Sequence, residues 1–346
     1  MATNHPKVAA VILNYNGQKW LEKFLPFVKK STYPNLDIIV GDNASTDDSV
    51  SYMKEHYPEI RLIINEENGG YTKGYNDCLK QVEADYYILL NSDIETPEHW
   101  IEPVIELMES DKNIAACQPK IKYYSDKNYF EYAGASGGYM DRYGYPFCRG
   151  RILETYEKDE GQYDNVQEVF WATGACLFVR ANIYWQLNGL YEPLFAHMEE
   201  IDLCWRMKRA GYKVMVCPQS EVYHVGGGTL HKSNPRKTYY NFRNNLILLY
   251  RNLKGSFLFF IMLMRLILDG IAAIKFLVSG EGGNFKAVFK AHMHFYKWNF
   301  SHKGIIDKPF VASNKKLVGT YRGSIIWDYF ARGKKYYTDL DSEKIL

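Results

Sequence analysis

DYYILLNSD (Asp85–Asp93) is an apolar run of strand type that ends in three polar residues, Asn91, Ser92 and Asp93. A short run of this kind suits a strand buried on both faces. Three earlier stretches repeat the pattern. Lys7–Leu13 runs into Asn14-Tyr15-Asn16-Gly17, Leu36–Gly41 into Asp42-Asn43-Ala44-Ser45, and Ile60–Ile64 into Asn65–Gly70 (NEENGG). Helical patterns lie between them: Gln18–Lys30 with Pro26 as a kink, Ser45–Tyr57 with a Ser45/Asp48 capping box, and Tyr71–Val82. A helix over Pro97–Ser110 and a strand over Ile114–Tyr123 follow. This alternation predicts an α/β fold, a mostly parallel sheet flanked by helices. Ligands of such sheets sit at the carboxyl ends of the strands. One loop rich in Asn, Asp and Gly is ordinary turn chemistry. Four on the same predicted edge mark a site.

Downstream, Ser125–Asn165 is Tyr- and Gly-rich with weak periodicity and reads as an excursion from the sheet, a hairpin and a mobile loop. Strand character returns at Val166–Trp171. Ile201–Ala210 is an amphipathic helix stopped by Gly211, and Lys213–Cys217 is a strand. The apolar stretch Phe257–Val278 has the length of a membrane span but carries Arg265, Asp269 and Lys275. Central charges are costly in a bilayer, so a helix lying in the membrane surface fits better than a span, the plainer alternative being a buried helix packed on the catalytic domain. Arg243, Arg251, Lys254, Lys286 and Lys290 nearby favour anionic lipid. The expected division is a catalytic domain over 1–250 and a helical region over 251–346 with its membrane-associating segment at about 256–279.

The bulk numbers exclude more than they select. Apolar residues make up 47% and charged residues 24% of the 346, an ordinary globular balance. The net charge of +2 gives no basic field for nucleic acid. None of the six cysteines forms a C-x-x-C pair, so they read as buried thiols rather than a zinc site. The N-terminus lacks the pattern of a secretory signal, which predicts a cytoplasmic protein.

Several residues carry candidate chemistry, each with a plainer alternative. Asp93 at a strand end suits a hard divalent cation shared with phosphate oxygens, or caps the helix near Pro97. His224, before Gly226-Gly227-Gly228, completes such a metal shell, or is a hydrogen-bonded histidine at a strand end. Glu199, Glu200 and Asp202 open a helix that closes on Lys208 and Arg209. That matches the macrodipole, and it also offers a general base, for which Glu200 is preferred. Trp171, Thr173 and Gly174 form an acceptor floor, or simply pack.

Together these segments resemble the family 2 glycosyltransferases of GT-A (Rossmann-like) fold, in particular their bacterial rhamnosyltransferase-like branch, over about residues 7–250. VILNYNG (Val11–Gly17) is similar to the family's opening strand and nucleotide loop, and VGDNASTDDS (Val40–Ser49) to its base-contacting segment. NEENGGYTKGYN (Asn65–Asn76) and ILLNSD (Ile88–Asp93) resemble a donor segment and the D-x-D position, with Asn91 replacing the first Asp. ATGACLFVR (Ala172–Arg180), MEEIDLCWR (Met198–Arg206) and HVGGGT (His224–Thr229) resemble the acceptor strand, the base segment and the metal-binding loop. The resemblance implies donor contacts from Asn14, Tyr15, Asn16, Asp42, Asn68, Lys73, Asn91 and Ser92, and an Mg²⁺ or Mn²⁺ ion on Asp93 and His224. It implies inverting transfer from a UDP- or dTDP-linked sugar, rhamnose being the sugar of that branch, to a saccharide acceptor. A lipid-linked acceptor at the inner face of the cell membrane, in bacterial surface polysaccharide assembly, fits the apolar segment. The competing readings are a nucleotide-sugar-binding protein without transferase activity and a nucleotidyltransferase. The latter needs a basic Gly-rich loop after the first strand, which Asn14–Gly17 is not. The absence of G-x-G-x-x-G there argues against an NAD enzyme.

Overall fold

In the computed structural model, which describes residues 5–226, 234–253, 255–301 and 317–346, the four apolar runs become β1 (Val8–Asn14), β2 (Leu36–Asp42), β3 (Arg61–Ile64) and β4 (Tyr86–Asn91). They pair in parallel in the order β4-β1-β2-β3. The register sets Asn14 opposite Asp42, Leu13 opposite Asn91 and Asp42 opposite Ile64. The four polar loops therefore share one sheet edge. Alternate residues of β1 enter two different cores: Ala9 and Val11 on one face, Val8, Ala10 and Ile12 on the other. Burial on both faces explains why the run is apolar without alternation.

Helices α1 (Gln18–Val28), α2 (Ser49–His56) and α3 (Gly70–Leu79) connect these strands. The chain continues through β5 (Ile94–Glu95), α4 (Glu102–Ser110), β6 (Ile114–Tyr123) and β7 (Asp126–Phe130). The Tyr- and Gly-rich excursion forms β8 (Gly138–Asp141), β9 (Pro146–Cys148), β10 (Arg151–Ile152) and β11 (Thr155–Tyr156), a second sheet. Then come β12 (Gln167–Glu168), β13 (Cys176–Arg180), α5 (Ala181–Gln186), α6 (Glu199–Arg209) and β14 (Lys213–His224). The main sheet is mixed: β13 lies antiparallel between β4 and β6, and β14 runs parallel to β6. Helices α7 (Pro235–Asn252), α8 (Gly255–Val278) and α9 (Gly282–Ser301) follow, then β15 (Thr320–Tyr321) and α10 (Ile325–Phe330). The six cysteines are free and buried.

Four boundaries differ from the sequence reading, each for a reason in the packing. Helix α2 starts at Ser49, so Ser45 caps nothing; its N–H donates to Asp42 Oδ1 at 2.8 Å and its hydroxyl accepts from the Asn16 N–H at 2.9 Å. The strand expected over Val166–Trp171 shortens to β12, because Val169 turns to bond Val214 of the main sheet and Phe170 bonds Gly138 of the second. Strand β14 runs on past Cys217 through a bulge to His224. The division expected at residue 250 falls inside α7, and β15 pairs with β8, so the two parts share a sheet.

Helix α8 presents two unlike sides. Phe259, Leu263, Ile267, Ile271 and Ile274 are exposed, whereas Arg265 and Asp269 are buried. Those two charges form an i,i+4 pair at 3.0 Å. Arg265 also donates to Asn245 of α7, and Asp269 accepts from Tyr145 and contacts His292 of α9. The charges that looked wrong for a span are the side that grips the protein. Lys275 is not on that side and lies against Phe330.

Candidate active site

Strand pairing brings Asp93 and His224 together. β5 is antiparallel to β14 with His224 opposite Ile94, so His224 arrives beside the end of β4. Its Nε2 lies 3.1 Å from Asp93 Oδ1 and 3.4 Å from Asn91 Nδ2. Its Nδ1 lies 3.0 Å from Glu131 Oε2, just beyond β7. Burial alone would lower the imidazole pKa, but the Asp93 and Glu131 carboxylates together hold it well above the usual value. Glu131 is pushed up by burial and more than recovered by His224, so it stays ionised. A carboxylate on Nδ1 fixes the tautomer that leaves the Nε2 lone pair for a metal. Among the described residues, no three His, Cys, Asp or Glu side chains cluster for a metal. Asp93 and His224 offer two groups that could hold a cation, which would take the rest of its shell from phosphate oxygens and water, as Mg²⁺ commonly does. Residues 227–229 of the loop that follows lie outside the described residues.

The loops that follow β1, β2 and β3 are stitched to one another. Asn14 Nδ2 donates to Asp42 Oδ2 at 3.0 Å, and Asn16 Oδ1 accepts the Thr46 N–H at 2.7 Å. Asn16 (φ 49) and Ala44 (φ 60) sit in the left-handed region, which these bonds enforce. Asn43 donates to Asn68 Oδ1 and to the Gly70 carbonyl, and Asn65 donates to Asn43. The loops form a preorganised shelf around Asp42, with Tyr15 exposed on its rim. Ser92 and Asn91 are half-buried between this shelf and His224. Lys73 is held on the surface of α3 by Asp77 at 2.6 Å and Glu67 at 3.4 Å.

Opposite β4, the turn that leads into β13 carries Gly174, whose carbonyl accepts the Tyr71 hydroxyl. A Cβ at Gly174 would meet that hydroxyl at 2.9 Å and Glu200 Cβ at 3.6 Å, so glycine lets β13, α3 and α6 converge. Thr173 is buried: its N–H donates to Gln118 and its hydroxyl accepts from Ala175. Trp171 is also buried; its indole N–H donates to Tyr139 and its ring fills the space over Gly138. Its position is that of a wall packed behind the site.

Helix α6 starts at Glu199, and its first turn sorts the three acids. Asp202 is consumed internally. It accepts from Arg206 at 2.8 Å, Asn252 at 3.0 Å and Arg251 at 3.3 Å, and these partners outweigh burial to lower its pKa. Glu199 and Glu200 behave differently. Each keeps a buried Oε2 with no hydrogen-bond partner. Burial pushes both pKa values up; Glu199 is raised further by Glu200, while backbone N–H groups of Glu200, Ile201 and Gly174 pull Glu200 back. Glu200 is therefore the first of the pair to ionise, helped by the helix N-terminus. The loop before them is strained: Phe195 (φ 65), His197 (φ 70) and Met198 (φ 72) are all left-handed. Asn244 of α7 holds it there by donating to the Leu194, Ala196 and His197 carbonyls at 2.9, 2.8 and 2.7 Å.

Sequence reading singled out Asp93, His224 and Glu200 but missed Glu131, Tyr71 and Asn244. Glu131 belongs to no local motif, and only the β6–β7 hairpin brings it under His224.

A parallel 3-2-1-4 half-sheet with its polar loops on one edge, closed by an antiparallel strand and an acidic helix start, defines a glycosyltransferase of GT-A architecture. The chain belongs to glycosyl transferase family 2, whose profile matches residues 9–186. It is similar to N-acetylglucosaminyl-diphospho-decaprenol L-rhamnosyltransferase of Mycobacterium tuberculosis, 26% identical over 232 residues, 62% of this chain and 74% of the relative. It is also similar to the O-antigen chain rhamnosyltransferase WbaN of Salmonella anatum, 25% identical over 68% of this chain and 69% of the relative. Among solved structures, GalNAc-T7 with UDP, GalNAc and Mn²⁺ aligns with a TM-score of 0.55 at 17% identity, over 72% of this chain and 48% of that one. The mannosyltransferase PcManGT of Pyrobaculum calidifontis, in complex with GDP-Man and Mn²⁺, aligns at 0.51 and 15% identity, over 85% and 76%. At these identities the two structures speak for the fold.

Proposed function

We propose that this glycosyltransferase moves a sugar, with inversion, from a UDP- or dTDP-sugar to a lipid-linked saccharide at the inner face of the membrane. Rhamnose is the sugar that its relatives' names favour. The carrying observation is Glu200: a half-buried residue whose Oε2 is buried without a partner, at a helix start, across β13 from β4, which leads into Asp93. Burial of an unpaired acid costs stability, and such a cost is kept where chemistry needs it. In the reaction, an acceptor hydroxyl oxygen bonds to the anomeric carbon as the bond from that carbon to the diphosphate oxygen breaks. The nucleoside diphosphate leaves with the electron pair, and Glu200 takes the hydroxyl proton. Asp93 and His224 would hold Mg²⁺ or Mn²⁺, which neutralises charge on the leaving diphosphate. Asn14, Asn16, Asp42 and Asn68 shape the nucleotide side, joined by Tyr15, Asn91 and Ser92. Lys73 reaches the donor only by leaving Asp77 and Glu67. Gly174 and Thr173 border the acceptor, with Trp171 behind them. Glu199 stays protonated beside Glu200, and Asp202 anchors α6 to α7.

The test is nucleotide release by purified protein across UDP-, dTDP- and GDP-sugars with and without Mn²⁺. Metal-dependent release with a UDP- or dTDP-sugar is the expected result; none with any donor would sink the reading.

The membrane part rests on α8, whose apolar side faces outward while Arg265 and Asp269 face the protein. A helix so arranged lies in the interface rather than across it. Phe259 and Ile271 are 73% and 59% exposed, so Phe259→Asp with Ile271→Asp leaves the fold intact. Removing two apolar anchors should cut flotation with anionic vesicles by at least about tenfold. Unchanged flotation would place the membrane contact elsewhere.

A further inference from the structure

A cavity of about 360 Å³ opens at the far end of α6. Its volume falls within the range of small-molecule sites, roughly 300–1,000 Å³. Phe170, Trp205, Leu249, Leu253 and Phe257 give it apolar walls, and Arg142, Arg209 and Arg322 line it. Arg209 is only 5% exposed. Its guanidinium makes one hydrogen bond, from Nη1 to the Asn252 carbonyl at 3.0 Å. Asp202, the acid nearest along the helix, is already taken by Arg206, Arg251 and Asn252. Asp141 also lines the cavity, but its carboxylate accepts the N–H groups of Tyr143, Tyr145 and Ile325. Arg142 and Arg322 stand exposed at the rim. Asp202 acts on Arg209 only through its charge, and Asp141 and the terminal residue Leu346 line the cavity without a hydrogen bond to its guanidinium. A buried guanidinium with spare donors is costly until acceptors complete it.

The cavity's other property is its neighbour. Phe257, in its wall, begins the exposed apolar side of α8 and is itself 49% exposed. An occupant anionic at one end and apolar at the other satisfies both. We infer that the cavity binds an anionic glycerophospholipid, its phosphate on Arg142, Arg209 and Arg322 and its chains leaving past Phe257. The site is separate from the reaction: Arg209 lies nine residues along α6 from Glu200, about 14 Å at the helical rise. The bound lipid would fix the end of α6 opposite the catalytic end and add a headgroup preference to the attachment by α8.

The test is calorimetric titration of the full chain with monomeric dioctanoyl-phosphatidylglycerol, dioctanoyl-phosphatidylcholine or inorganic phosphate. Saturable binding of phosphatidylglycerol is expected, at least tenfold tighter than phosphatidylcholine and than phosphate. Arg142→Gln with Arg322→Gln, both exposed, should cost at least tenfold in phosphatidylglycerol affinity, and Arg209→Gln should do the same if it folds. The Phe259/Ile271 variant, which tests α8, should keep that affinity, so the two readings fail separately. Parent-like affinity in the rim double variant, or equal binding of inorganic phosphate alone, would overturn the lipid site; the second result would make it a free-anion site.

Discussion

Glu200→Gln should lower kcat by about 10²–10⁴-fold, the usual worth of a positioned general base, while the protein becomes more stable. The two effects have one origin. Burial raises the Glu200 and Glu199 pKa values above the ordinary 4.5. A carboxylate whose folded pKa is raised binds more protons in the folded state than in the unfolded chain. Its contribution to stability is therefore full below pH 4.5 and is lost as pH rises toward the folded value. At neutral pH the parent carries that cost and the amide does not. Each kcal/mol relieved is worth about 1–2 °C in Tm for a chain of 346 residues. The parent's rate should also fall with acid along a limb lying well above pH 4.5. Gln at 199 should stabilise too but leave most turnover. If Glu200→Gln turned over normally and Glu199→Gln did not, the base would be Glu199.

Asp93→Asn and His224→Ala should each abolish the dependence of nucleotide binding on Mn²⁺, since each removes one of the two protein ligands proposed above. Glu131→Gln separates a metal site from a plain buried ion pair. Glu131 touches no substrate in this reading; it accepts from His224 Nδ1 and orients the ring. Loss of such an outer partner typically weakens metal binding by about 10–100-fold. Metal must also displace the proton that Asp93 and Glu131 stabilise on His224, so Mn²⁺ affinity should rise with pH. Titration of Mn²⁺ in the presence of UDP, followed by the loss of the free-ion EPR signal, reads both. Wild-type Mn²⁺ affinity in Glu131→Gln would reduce the triad to a structural ion pair.

Much of the site was legible because it is local. Asn14, Asp42 and Asn91 each end a buried strand, and the change from apolar to polar marks that end in the sequence itself. The acidic start of α6 is legible in the same way, but which acid does what is not. Asp202 and Glu200 differ by two positions; Asp202 pairs with Arg206 one turn on in α6, and only the packing of α7 adds Arg251 and Asn252 to it, while Glu200 keeps an unpartnered oxygen. Pro218 hid the continuation of β14, since a proline after Cys217 reads as a strand end. A bulge absorbs it and carries the strand on to His224.

By itself, then, the sequence determined the alternating strands and helices, the shared polar edge and an apolar segment with three misplaced charges, because burial and turn chemistry act on neighbours in the chain. Tertiary structure alone decided that Glu131 supports His224 across 93 positions and that Asp93 meets it across 131. It alone turned Arg265 and Asp269 toward Tyr145, Asn245 and His292 and left the apolar side of α8 outward. The reason is the same in both cases. A carboxylate, an imidazole or a guanidinium is costly to bury alone and acceptable beside a partner, and strand register and helix docking choose that partner from elements far apart in the chain.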